Sequence, residues 1–291
     1  MGERWQNRAV GHKENRCGGH APHTLPGRKD AMSFANRVAV ITGASSGIGW
    51  AVAKELAGRG CHVGLIARRL ERLQTLAQEI IVAGGKAAVA AADVGDRMQT
   101  LAAFRAVRQQ LGPVDLLLAN SGIGLPTPLE PQNVPQVESM FRINTLGVIY
   151  AIEAVLPEML ERGRGHLAAV SSLAAYKGLP GESAYCASKA AVNVYMEGLR
   201  IQLRKRGIAV TTICPGFIAT PMTAVNEFKM PWLMSAEKAA KKIVRALERR
   251  RKVYNFPWQM VLLMKFTGWL PDWVIARSLA GKSGDRPPPP A

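Results

Sequence analysis

The sequence predicts an α/β chain: a doubly wound parallel sheet of about seven strands, helices on both faces, and a short helical C-terminal extension. Three observations carry this. Short apolar runs alternate with segments of helical period from Arg37 onward. The runs are apolar through their length, as strands covered on both faces require. A glycine-rich turn separates the first run from the first helical segment.

The elements follow in order. Residues 1–33 form an N-terminal extension expected to be disordered, because its first 31 residues are rich in Arg, His, Gly and Pro and lack apolar period. Met32 opens MSFANRVAVITG as a natural start would. His12, Cys17, His20 and His23 in the extension match no zinc spacing, and no metal site is expected. A single domain is expected over 34–256. RVAVIT is its first strand and GWAVAKELAGRG a helix ending in Gly. HVGLIA, KAAVAAAD and VDLLLAN continue the strands, with RLERLQTLAQEIIVAGG and RMQTLAAFRAVRQQLG as intervening helices. A long helix is expected at about Val137–Glu161, with Pro157 near its end. GHLAAVSS is the fifth strand, SAYCASKAAVNVYMEGLRIQLRKRG a helix, IAVTTICPG the sixth strand and KVYNF the seventh. Residues 257–281 form the apolar helical extension, which Pro271 divides into two short helices, and 282–291 are expected to be a disordered tail.

Composition narrows the partners. Hydrophobic residues make up 48% of the chain, enough for a sizeable core. The net charge of +17 calls for an anionic partner: a phosphorylated cofactor, nucleic acid or an acidic membrane. No nucleic-acid motif is present, so nucleic acid is not expected. Cys17, Cys61, Cys186 and Cys214 form no C-x-x-C pair and read as free thiols in a reducing compartment. No secretory signal and no run of about 18 uninterrupted apolar residues is seen. A cytoplasmic protein, peripheral to a membrane if bound to one, is the expectation.

The turn TGASSGIG, residues 42–49, is the first functional signal. Gly43, Gly47 and Gly49 follow a G-x-x-x-G-x-G spacing, with Ser45, Ser46 and Ile48 between them. Bare backbone there lets N–H groups approach a pyrophosphate at a helix N-terminus. A strand, such a turn and a helix in succession make the Rossmann-like unit that binds a dinucleotide. After the second strand an acidic residue would hold the ribose hydroxyls of NAD. Ala67, Arg68 and Arg69 stand there instead. Arginine pairs with a 2′-phosphate that an acid would repel, so NADP(H) is the expected cofactor. Arg68, nearer the strand end, is the stronger candidate.

Several motifs in order then identify a resemblance: TGASSGIG, DV at 93–94, NSG at 120–122, Asn144, SS at 171–172, YCASK at 185–189 and PGFIAT at 215–220. Over residues 36–221 the chain resembles the short-chain dehydrogenase/reductase family. The resemblance implies that Asp93 and Val94 contact adenine and that Asn120 and Gly122 close the fourth strand beside the cofactor. It implies that Pro215, Gly216 and Thr220 lie beside the nicotinamide and its phosphates. The family often has Asn-Asn-Ala-Gly where this chain has Ala119-Asn120-Ser121-Gly122. Asn144, Ser172, Tyr185 and Lys189 would be the catalytic group. Ser171 and Ser172 point to opposite faces of their strand, so only one reaches the site, and Ser172 is chosen.

Tyr185 and Lys189 share a helix face at i,i+4. A free phenol has a pKa of about 10, and a nearby ammonium would lower it. The implied reaction interconverts a carbonyl and an alcohol by hydride transfer with a nicotinamide. Tyr185 is the acid/base, Ser172 orients the substrate oxygen, and Lys189 tunes Tyr185 and binds the nicotinamide ribose. Asn144 would hold a water linking Lys189 to solvent. The rival is a non-catalytic NADP-binding sensor or scaffold of the same fold. A serine hydrolase is disfavoured because Ser172 has no evident His partner; His62 and His166 lie on strands in structural positions.

The loop FIATPMTAVNEFKMPWLMS carries Phe217, Met222, Phe228, Met230, Trp232 and Met234, which suit a hydrophobic substrate. Residues 237–291 hold twelve Lys/Arg against four Asp/Glu, and Trp258, Trp269 and Trp273 lie among aliphatics. Three roles stay open for this segment: a cap on the substrate mouth, a subunit interface, or a contact through about 238–280 with an anionic bilayer. A homodimer or homotetramer is the expected assembly.

Overall fold

The computed structural model describes residues 33–226, 228–267 and 269–279. The expectations for residues 1–32, with Cys17 and the three histidines, and for the tail 282–291 lie outside the described residues.

Strand β1 (Val38–Thr42) is buried throughout and runs through the glycine turn into α1 (Gly47–Ala57). β2 (His62–Ala67), α2 (Leu70–Val82) and β3 (Lys86–Ala91) follow. Helix α3 (Arg97–Leu111) starts at Asp96, whose carboxylate accepts the Gln99 N–H and caps the helix. After β4 (Leu116–Ala119) come α4 (Val134–Phe141) and α5 (Gly147–Glu161), joined by a π-helical turn at Arg142–Leu146. β5 (Gly165–Val170) ends in a short turn at Leu173–Tyr176, and α6 (Ser183–Gln202) leads to β6 (Ile208–Pro215). β7 (Ile218–Ala219), α7 (Pro221–Ala224) and β8 (Met234–Ser235) shape the next loop. α8 (Ala236–Glu248), β9 (Val253–Phe256), α9 (Trp258–Thr267) and α10 (Asp272–Leu279) complete the described chain.

Seven strands form one parallel sheet in the order β3-β2-β1-β4-β5-β6-β9. Side chains of alternate strand residues enter opposite layers. Ala39 and Ile41 join the core under α1, α2 and α8, while Val40 joins the core under α3, α5 and α6. The chain leaves β1 toward β2 and later returns to β4 on its other side. That reversal opens a crevice above the C-terminal ends of β1 and β4, where ligands of such sheets bind.

The structure departs from the expected elements in three places. The long helix begins at Val134 and is interrupted at Arg142–Leu146, because an extra residue per turn there widens the helix around Asn144. Helix α6 stops at Gln202, short of the basic stretch and of Gly207, whose φ of +71° ends the turn. The β7–β8 pair, two residues per strand, is too short to leave a period in the sequence. Residues 134–161 are apolar and long enough to cross a membrane by length and composition. Val148, Ala151, Ile152, Val155 and Met159 of that stretch are instead buried in the core beneath the sheet.

Candidate active site

An open cleft of about 260 Å³ lies over the crevice and reaches from Arg68 and Arg69 at one end to Ser172 and Tyr185. Its floor is the glycine turn. Gly43 and Gly47 have positive φ, at +67° and +57°. The three glycines are needed for different contacts. A Cβ on Gly43 would lie 2.9 Å from Ser121 Cα, one on Gly47 2.9 Å from Thr220 Cγ2, and one on Gly49 2.4 Å from the Gly43 carbonyl oxygen. Gly49 therefore stands behind the floor, while Gly43, Ser45, Ser46, Gly47 and Ile48 line it.

Asn120 locks this turn to the end of β4. Its Nδ2 donates to the carbonyls of Thr42 and Gly43 at 3.0 and 3.3 Å. The buried hydroxyl of Thr42 accepts the N–H groups of Asn120 and Ser121 at 3.0 and 3.2 Å. Thr42 is a site residue that sequence reasoning missed, although it opens the glycine motif. Ser121, at the position where the family often has Ala, bonds there through its backbone, so the side-chain change leaves this support intact.

No side chain caps the first N–H groups of α1, and its first turn holds no acidic residue. Such a helix end favours an anion. Together with the bare glycine backbone that lines the cleft, this fits a dinucleotide pyrophosphate. At the far end, Arg69 donates to Ser45 Oγ at 2.9 Å and to Ser46 Oγ at 3.0 Å. Arg68 lines the same end and is exposed. Arg69, the residue before α2, thus reaches the turn itself. Asp93 and Val94 line the neighbouring wall; the Asp93 carboxylate accepts the Gly95 N–H at 2.9 Å, and Val94 packs against Gly147.

Ser172, Tyr185 and Lys189 come together at the other end. Ser171 turns away, its Oγ donating to the Lys189 carbonyl at 3.0 Å inside the core. Ser172 faces the cleft, accepts the Ala174 N–H at 3.1 Å and hydrogen-bonds Tyr185. The Lys189 ammonium donates to the Val170 carbonyl at 3.1 Å and sits 5.9 Å from the centre of the Tyr185 ring. Loss of hydration pushes the Tyr185 phenol up to about 12, against the lowering by Ser172. Loss of hydration also brings Lys189 down to about 8. Burial thus sets the direction for the phenol, while the Lys189 ammonium is engaged by the Val170 carbonyl.

Asn144 does not line the cleft. It is fully buried in the π turn, and its side chain bridges both backbone groups of Ile123, at 2.8 and 2.9 Å, and Ser188 Oγ at 3.0 Å. Both its amide hydrogens are thus directed to protein partners. Ser188, inside YCASK, in turn donates to the Tyr185 carbonyl at 2.8 Å. Asn144 and Ser188 hold the cleft wall and the tyrosine's helix in one register. Gly122 keeps that corner open: a Cβ there would lie 3.1 Å from Lys189 Nζ.

Pro215, Gly216 and Thr220 line the remaining wall. Of the six apolar loop residues, Met222 faces the cleft, across Gly124 from the Tyr185 ring. Phe217 instead stacks edge-on with Phe228, ring centres 5.7 Å apart, and Met234 is held in the β7–β8 pair. Trp232 is 45% exposed.

Residues 37–230 match the sequence model of the family described as short chain dehydrogenase. An uncharacterized oxidoreductase of Myxococcus xanthus is 40% identical over 241 residues, covering 83% of this chain and 94% of the relative. A 3-ketoacyl-ACP reductase from Sinorhizobium meliloti 1021 superposes with a TM-score of 0.69 at 30% identity, over 75% of this chain and 96% of that one. An alcohol dehydrogenase from the archaeon Thermococcus sibiricus, complexed with 5-hydroxy-NADP, gives 0.69 at 26% identity, over 76% and 94%. On the family match, the sheet order and the cleft, the chain belongs to the short-chain dehydrogenase family of oxidoreductases, which use a nicotinamide cofactor.

Proposed function

We propose that the protein reduces a carbonyl group on a hydrophobic small molecule, or oxidises the corresponding alcohol, with NADP(H) as cofactor. The observation that carries this reading is the meeting of Ser172, Tyr185 and Lys189 in the cleft whose other end is the glycine cradle. When bound, a nicotinamide cofactor supplies the hydride acceptor or donor. The N–H groups of the α1 turn would hold its pyrophosphate, and Lys189 its nicotinamide-side ribose.

Ser172 orients the substrate oxygen toward the Tyr185 hydroxyl. A phenol pushed up to about 12 stays protonated near neutrality, so it is ready to donate to a carbonyl oxygen. The Lys189 ammonium, still charged below about 8, then stabilises the phenolate that remains. Asn144 and Ser188 position Tyr185 and the loop at Ile123. NADP over NAD is supported by the absence of an acid after β2 and by the pair Arg68 and Arg69 at that end. Met222 beside Tyr185 supports an apolar substrate.

The test is oxidation of NADPH and of NADH by the purified protein with long-chain aldehydes, ketones, 3-oxoacyl thioesters and steroids. Turnover with NADPH and a lipophilic carbonyl is the expected result. Tight NADPH binding with no turnover on any of these would favour a sensor or scaffold.

A further inference from the structure

Seven of the ten side chains of α9 are apolar. One side of the helix meets the protein: Met260 lies against Gly216, and the helix packs beside β9 and the 173–176 turn. Trp258, Leu262 and Phe266 recur every fourth residue, so they share one face. They are 67%, 57% and 65% exposed, and Trp269 and Trp273 beyond them are 90% and 70% exposed. A run of large apolar side chains left in water marks a contact surface.

Two occupants compete for it, a second copy of this chain and a lipid surface. Charge separates them. The charges this face leaves in water, Lys265 and Arg277, are both positive, so a second copy of the face is repelled where an anionic surface is attracted. Asp272, the one acidic residue between Pro257 and Leu279, is ion-paired with Lys177 at 3.3 Å. Lys265 and Arg277 remain exposed on the helices. Tryptophan, with a broad apolar body and one polar N–H, suits the boundary between headgroups and acyl chains. We propose that α9 and α10 form a docking face for an anionic bilayer surface. This holds whether or not the carbonyl-reductase reading does.

The structure also divides the basic C-terminal region. Arg249, Arg250, Arg251 and Lys252 precede β9, while α9 follows it, about 13 Å further along the strand direction. The docking face is therefore mainly apolar, with Lys265 and Arg277 as its local charges. Because α9 rests on Gly216, a bilayer against it would lie beside the cleft mouth.

The experiment uses the full chain with vesicles of phosphatidylcholine, with and without phosphatidylglycerol. The protein is expected to sediment with the phosphatidylglycerol vesicles, more weakly at high salt but not abolished. A Trp269→Ser, Trp273→Ser double variant should partition at least about tenfold less while keeping its sedimentation coefficient. Brominated lipid, which needs no variant, should quench part of the wild-type tryptophan emission. Three results would overturn the proposal: wild-type protein remaining in the supernatant at low salt, vesicle binding that the double variant leaves unchanged, or bound protein without quenching. A double variant that loses self-association instead of vesicle binding would make the face a subunit contact and equally overturn it.

Discussion

The floor of the cleft and the helices α9 and α10 lie at opposite extremes of packing. At the floor, a single added carbon at Gly49 would meet a carbonyl oxygen at 2.4 Å. On α10, Trp273 is 70% exposed. In the first region single atoms decide whether the arrangement survives. In the second, whole side chains stand outside the core. Tolerance to substitution therefore separates residues that build the site from residues that face a partner.

The largest effect is expected at the chemical end of the floor. Tyr185→Phe removes one hydroxyl and should lower turnover by about 10²–10⁴-fold, with NADPH affinity and melting temperature nearly unchanged. Residual turnover near that of wild type, on a confirmed substrate, would break the comparison at its strongest point. Arg69→Ala should come next. Losing charge-assisted contacts is worth roughly tenfold to a hundredfold in affinity, and titration should show this for NADPH but not for NADH. Arg68→Ala, measured beside it, sharpens the assignment: a larger NADPH loss there would bear out Arg68 as the stronger candidate.

The pH profile follows. Lys189 is an ammonium below about 8 and an amine above it. The ammonium stabilises the phenolate left when Tyr185 gives up its proton, so kcat/KM for reduction should fall as pH rises through about 8. The fall approaches about tenfold per pH unit if that charge is essential. A flat profile from neutral to strongly alkaline pH would remove Lys189 from this role. The smallest effects contrast the two regions directly by denaturant unfolding. Gly49→Ala should destabilise by about 1–3 kcal/mol through overpacking, and Trp273→Ala should stay within about 0.5 kcal/mol. Equal losses would mean that α10 is part of the monomer's core.

The same contrast explains what was legible in the sequence. The glycine turn could be read because backbone sterics impose Gly43, Gly47 and Gly49 locally. Tyr185 and Lys189 could be read because helix geometry alone sets their spacing. That only one of Ser171 and Ser172 reaches the site followed from strand alternation and the choice of Ser172 from the resemblance, and the structure turns Ser171 into the core. What could not be read depends on distant contacts. Arg69 reaches Ser45 only because β2 ends beside the turn, which no local pattern records. The burial of Asn144 depends on a π turn whose stimulus is the packing of Ile123 and Ser188 around it. The apolar loop after β6 suggested six residues over a substrate, whereas the Phe217–Phe228 contact and the β7–β8 pair engage three of them within the loop.

The central claim is that this cleft performs carbonyl chemistry with a reduced nicotinamide. The most direct measurement follows a label: NADPH carrying deuterium at the transferable position of its nicotinamide, incubated with a carbonyl compound found in the substrate screen. Mass spectrometry of the product should place one deuterium on the new carbinol carbon with wild-type protein, and almost none with Tyr185→Phe. Wild-type protein that binds the labelled NADPH yet leaves every carbonyl compound free of deuterium would contradict the account.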